Sequence, residues 1–264
     1  MKNLEKIEKI LRNKNYADNT IKIYLSYINS FILFYNKDKY QLTLKDLNSY
    51  LLNYNYTSVS QQNQIINSLK LYYKYILNKS NLNLSKIERP KKNKKLPNII
   101  DSNLIINKIN SIYNLKHKCI LSLMYSCGLR VSEVLNLKIS DIDSKRMIIK
   151  INGSKNNKDR LVPINNKLII LLRKYYVNYK PNIYLFNGKN TLKYSYSSCN
   201  KIVKKHLGDK YSCHTLRHSC FTHLLEIGIN IKIIKELAGH SNIKTTEMYT
   251  HVSINTLKNI PSLL

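Results

Sequence analysis

Residues 213–228 read CHTLRHSCFTHLLEIG, and residues 237–253 read LAGHSNIKTTEMYTHVS. His214 and Arg217 stand three apart, so on a helix they share a face and both can donate to one phosphate. The spacing predicts a helix over 215–227, with Gly228 and Gly239 as stop signals. H-x-x-R by itself is a weak pattern. His218, Cys220 and His223 raise a metal reading, yet no Glu follows His214 as H-E-x-x-H requires, and no second pair has zinc spacing. No metal is therefore expected, and His218 and Cys220 read as core or supporting residues. In the second stretch His240 occupies a Gly-His-Ser turn, and Tyr249 follows between Thr245-Thr246 and His251. One tyrosine among 21 carries little information alone.

Upstream, CGLRVSEVLNL at 127–137 puts Arg130 at the opening of a helical segment, where a guanidinium beside unpaired N–H groups would face an anion. The plainer reading makes Arg130 an ion-pair partner of Glu133. GSKNNKDRLVPI at 153–164 links the strand-like runs Met147–Ile151 and Arg160–Ile164, which predicts a β-hairpin. Further helices are expected near 101–113, 115–127, 131–138, 166–178, 195–207, 230–237 and 242–250.

The first 85 residues contain neither glycine nor proline. Without helix breakers the segment favours an all-helical unit. Four apolar stripes agree: Leu4, Ile7, Ile10, Leu11; then Ile21, Tyr24, Leu25, Ile28, Phe31, Ile32; then a helix after the capping-box sequence Thr43-Leu44-Lys45-Asp46; then Ile65, Ile66, Leu69, Tyr72, Tyr73, Ile76. Four helices with short loops make a bundle. SKIERPKKNKKLPN at 85–98 holds two prolines, with five basic residues between and just beside them, and reads as a linker. The fold class is mainly α. A helical unit at 1–84 and a basic linker at 85–97 precede a mixed, mostly helical unit at 98–264 with a small antiparallel sheet.

Charge narrows the partner. With 44 Lys+Arg against 15 Asp+Glu, the 264-residue chain carries a formal charge of +29. The excess is +12 up to Pro97 and +17 beyond it, which suits two lobes gripping one polyanion. No apolar run approaches the ~20 residues of a membrane span, and the N-terminus does not read as a signal peptide. A soluble, intracellular protein is expected, although Lys91-Lys92 and Lys94-Lys95 also fit a nuclear-localisation pattern. Five cysteines without a C-x-x-C pair read as reduced core thiols.

Taken in order, Arg130, a hairpin lysine, His214-x-x-Arg217, His240 and Tyr249 resemble the tyrosine recombinase (phage integrase) family, particularly its Xer-like and small integrase members. The resemblance covers nearly the whole chain, with 1–84 similar to that family's core-binding domain. It implies cleavage of one strand of double-stranded DNA by a tyrosine oxygen, giving a 3′-phosphotyrosine and a free 5′-hydroxyl, then resealing to another strand. No cofactor and no ATP are implied, because the phosphodiester energy is held in the covalent link. Tyr249 would be the nucleophile and Arg130 and Arg217 the clamp on the nonbridging oxygens. His214 would assist deprotonation or bind the phosphate, and His240 would donate a further hydrogen bond. Glu133 and His251 would support them. Only seven basic residues are arginine, so arginine at both clamp positions fits a need for bidentate geometry.

Lys155 aligns with the family's hairpin lysine, the proton donor to the leaving oxygen. The turn departs from the usual G-K-G-x-K-x-R: Gly153 lies two positions before Lys155 instead of one, and Asn156 replaces the glycine after the lysine, which makes Lys158 a rival. Ala238 also replaces the usual leucine before Gly-His, read as a packing change. The tail VSINTLKNIPSLL spaces Ile254, Leu257 and Ile260 by threes. The tail can fold back on its own domain; in the resembling family such tails often dock on a neighbouring protomer, which implies a homo-tetramer on DNA. The other readings are a type IB-like topoisomerase or resolvase without strand exchange, and a catalytically silent DNA-binding protein.

Overall fold

The four apolar stripes of the N-terminal segment form helices α1 (Lys2–Asn13), α2 (Asp18–Tyr35), α3 (Leu44–Asn53) and α4 (Val59–Tyr75). Ile7, Leu11, Ile21, Ile28, Phe31, Leu47, Ile65, Leu69 and Tyr73 bury their side chains in one core, as the 3.6-residue period dictates. The capping box is present: the Thr43 N–H donates to Asp46 Oδ2 at 2.7 Å, and the Asp46 N–H donates back to Thr43 Oγ1 at 3.2 Å. Tyr73 Oη donates to the Thr43 carbonyl at 2.8 Å, pinning the entry of α3 onto α4.

The computed structural model describes residues 2–35, 42–78, 89–90, 97–154, 158–189, 191–240 and 242–250. The chain divides into two units, residues 1–94 and 95–264. No helix among the described residues is long and apolar enough to cross a membrane.

The second unit comprises α5 (Ser102–Asn110), α6 (Leu115–Ser126), α7 (Val131–Asn136), a three-residue 3-10 turn at 139–141, β1 (Ile142–Asp143), β2 (Ile148–Ser154), β3 (Lys158–Pro163), α8 (Asn166–Tyr179), α9 (Tyr196–Leu207), α10 (Cys213–Glu226), α11 (Ile231–Ala238) and α12 (Lys244–Glu247). Helix α6 is central, and Cys119, Ile120, Leu121, Leu123 and Met124 are all buried along it. All five cysteines are buried and free. The sheet is antiparallel in the order β1-β2-β3, with Ile149 opposite Val162 and Ile151 opposite Arg160.

Two differences from the sequence reading have local causes. The sheet gains β1, whose two residues are too few to show alternation. Helix α10 begins at Cys213, two residues early, because Ser212 and Thr215 exchange cap hydrogen bonds.

Candidate active site

Helix α10 carries His214, Arg217, His218 and Phe221 at three- and four-residue spacing, one stripe directed at the end of α11. There Gly239 adopts a left-handed conformation (φ +60°), which closes α11 and turns the chain so that His240 follows. His240 Nδ1 lies 3.0 Å from Thr246 Oγ1, fixing the turn that leads through α12 to Tyr249. Gly128, also left-handed at φ +58°, lies flat against α10, and a Cβ there would come within 2.6 Å of the Phe221 ring.

These elements enclose a cavity of about 230 Å³ lined by Arg130, His214, Arg217, His218, His240 and Tyr249. Five of the six residues singled out from sequence thus meet in one place. Lys155, the sixth, lies outside the described residues, as do His251 and the tail bearing Ile254, Leu257 and Ile260. The side chain of Lys158 is likewise not described.

A carboxylate organises the arginines. Glu133 accepts from Arg130 Nη1 at 2.8 Å and from Arg160 in a fork, Nη1 at 2.7 Å and Nη2 at 2.8 Å. It also accepts the Arg130 backbone N–H at 2.7 Å, and Arg217 Nη1 stands 3.8 Å away. Burial alone would raise this carboxyl, but the hydrogen bonds and charge of Arg160 and Arg130 overcome it and hold the group at about 2. The ion pair of Arg130 with Glu133 read from sequence is therefore present, and it is part of the site.

Arg160 is the member that sequence reasoning missed. It sits on the inward face of β3 with Val162, opposite Ile151, and its Nε donates to the Leu237 carbonyl at 2.8 Å. It thereby ties the hairpin to α7 and to the end of α11. The scarcity argument applied to Arg130 and Arg217 would have flagged it too.

Arg217 is 3% exposed and donates to the carbonyls of Gly128 and Ala238, with its guanidinium 4.8 Å from the Phe221 ring centroid. Burial and the nearby Arg130 pull it down to about 10, so it is still cationic at neutral pH. Two of its five N–H donors hold the scaffold, which leaves the others for a ligand. Ala238 is fully buried and contributes its carbonyl, so the small residue before Gly239 packs tightly.

Tyr249 is 1% exposed, packed by Phe221, His218 and His240, whose ring stacks on it at 15°. Burial pushes its phenol up to about 12 against the pull of Arg217 and Arg130. Its hydroxyl meets His218 Nδ1 at 3.2 Å, so His218 contacts Tyr249 directly rather than merely filling core. Burial, then neighbouring positive charge, lowers His214, and burial with other charged or titratable neighbours brings His218 and His240 to about 4. All three rings are neutral at pH 7. His223 is used elsewhere, with Nδ1 2.8 Å from Tyr125 Oη. Among the described residues no group of three or more His, Cys, Asp or Glu side chains is placed to hold a metal ion.

The phage integrase family model matches residues 100–256, and that of the phage integrase N-terminal SAM-like domain matches residues 4–81. The chain is 34% identical over 264 residues to the tyrosine recombinase XerA of Pyrococcus horikoshii, covering 97% of this chain and 90% of that protein. Among solved structures it is similar to XerA recombinase, with 26% identity and a TM-score of 0.57 over 97% of this chain and 95% of that one. Its fold also resembles that of XerH site-specific recombinase bound to a palindromic difH substrate in a post-cleavage complex, with a TM-score of 0.77 at 20% identity over 98% of this chain and 84% of that one. The chain belongs to the phage integrase family, as a tyrosine-type site-specific recombinase.

Proposed function

We propose that Tyr249 Oη attacks a phosphodiester of duplex DNA, forming a 3′-phosphotyrosine as the bond to the 5′-oxygen breaks, and that a 5′-hydroxyl of a second duplex later reverses the step. The observation that carries this reading is the convergence of Arg130, Arg217, His214, His240 and Tyr249 on one cavity. Attack builds negative charge on the nonbridging oxygens, and two guanidiniums with a fixed scaffold stabilise it without reorganising. The neutral rings of His214 and His240 donate N–H groups to the same oxygens, and His218 holds the attacking hydroxyl. A bound phosphate raises the pKa of each histidine, which favours uptake of the tyrosine proton as the substrate arrives. Incubation with a nicked half-site duplex should leave a protein–DNA adduct that survives denaturation. Failure to trap one on any cognate site overturns the reading.

DNA as partner is supported by the +29 charge and by the DNA-bound XerH structure. In this reading 1–84 is the core-binding unit, 85–97 the basic linker and 98–264 the catalytic unit. Lys155 protonates the leaving 5′-oxygen. Lys155→Ala should slow cleavage of ordinary DNA greatly, but much less when that oxygen is replaced by sulfur, which leaves without a proton. Selective rescue of Lys158→Ala instead would move the role to Lys158.

The assembly is a homo-tetramer on DNA, in which the apolar tail positions Ile254, Leu257 and Ile260 dock on a neighbouring protomer. Deleting residues 253–264 should spare binding by one protomer while reducing cooperative binding and recombination. Loss of monomer thermal stability on deletion would show instead that the tail belongs to its own core.

A further inference from the structure

Arg130 lines two cavities. Besides the catalytic one, it borders a space of about 410 Å³ between α7, the 138–141 turn, β2 and the 184–193 segment. Four cations face this space, Arg130, Lys138, Lys150 and Lys193, together with two carboxylates, Glu133 and Asp141. The carboxylates are already engaged: Glu133 by the arginines, and Asp141 by the Lys138 N–H at 2.8 Å and Asn152 Nδ2 at 2.9 Å. Lys150 is shared with Asp159 at 3.6 Å. What is left over is positive.

Lys193 differs from an ordinary surface lysine because its head is held. Nζ donates to Asn136 Oδ1 at 2.7 Å and lies 4.4 Å from the centroid of the Tyr184 ring. The strand-like contact of Tyr184 with Lys138 holds the main chain that carries that ring, flanked by Ile139 N–H donating to the Ile183 carbonyl and Leu185 N–H to the Leu137 carbonyl. An ammonium ordered before its ligand arrives loses less side-chain entropy on binding.

We infer that this cavity is a second phosphate subsite. It takes a phosphodiester of the same DNA strand next to the one in the catalytic cavity, with Lys193 as its principal cation and Arg130 as the wall between the two. The inference rests on the cleavage reading above, and it adds a register: the strand is held at two successive points, so the scissile phosphate is selected by position rather than by charge alone.

The test uses the full chain, fluorescence anisotropy, and half-site duplexes each carrying one neutral methylphosphonate near the cleavage point. Lys193→Ala should weaken binding roughly tenfold and lower the log–log salt slope by about 1, while Lys193→Arg stays near wild type. One methylphosphonate position, adjacent to the scissile phosphate, should abolish the difference between wild type and Lys193→Ala. An unaltered salt slope, or a difference that persists at every methylphosphonate position, overturns the subsite. If inorganic phosphate at constant ionic strength stabilises wild type but not Lys193→Ala, while DNA binding is the same for both, the site serves free phosphate and the DNA assignment fails. Absence of any adduct with wild type would instead refute the cleavage reading, so the two failures are told apart on separate measurements.

Discussion

Tyr249→Phe should bind half-site DNA like wild type and lose its covalent adduct, with cleavage slowed by roughly 10⁴-fold or more. The ring that packs against Phe221 and His240 is retained, and only the hydroxyl facing His218 is removed. Thermal unfolding should therefore shift little. The phenol, raised to about 12 by burial, is protonated at neutral pH, so in the proposed reaction its proton must pass to a neighbouring histidine as the substrate binds, and no standing phenolate is available. An adduct formed by Tyr249→Phe would place the nucleophile on another residue.

Glu133→Ala should produce the largest loss of stability, about 3–5 kcal/mol, because it leaves the buried Arg160 guanidinium without its counter-charge. Glu133→Gln should cost less, since the amide oxygen still accepts from one arginine. Denaturant midpoints measure both. The folded-state pKa of Glu133 is depressed to about 2 from an ordinary 4.5, so its contribution is complete above the ordinary value and is lost as pH falls toward 2. If Glu133→Ala matches wild type in stability, the three arginines are held by something other than this carboxylate.

Much of this was legible because the chain is biased. With no glycine or proline before residue 85, only apolar periodicity decides the first unit, and the stripe through Ile21, Ile28 and Phe31 is buried as its spacing requires. The hairpin was visible as two strand-like runs, Met147–Ile151 and Arg160–Ile164, joined by a polar link, whereas β1 is too short to show as a run. At the site, the order of four motifs located five side chains, and the cavity confirms that they are neighbours. Arg160 escaped because a basic residue in a strand of a lysine-rich chain reads as solvated. Its register, inward opposite Ile151, reveals the burial, and the scarcity of arginine was the signal the sequence did offer. His218 escaped for the opposite reason: four residues after His214 it shares the helix face, and sequence alone does not say which of the two reaches Tyr249.

The five buried thiols have a practical consequence. Burial pushes Cys119, Cys127, Cys199 and Cys220 up to about 12 and Cys213 to about 11, so almost none is thiolate at neutral pH. Buried and protonated, they should react little with maleimides in the native chain, and a thiol titration before and after unfolding measures this. A cysteine introduced on its surface takes up a fluorophore or spin label alone, which opens distance measurements on the DNA-bound assembly without first stripping the core of its sulfur.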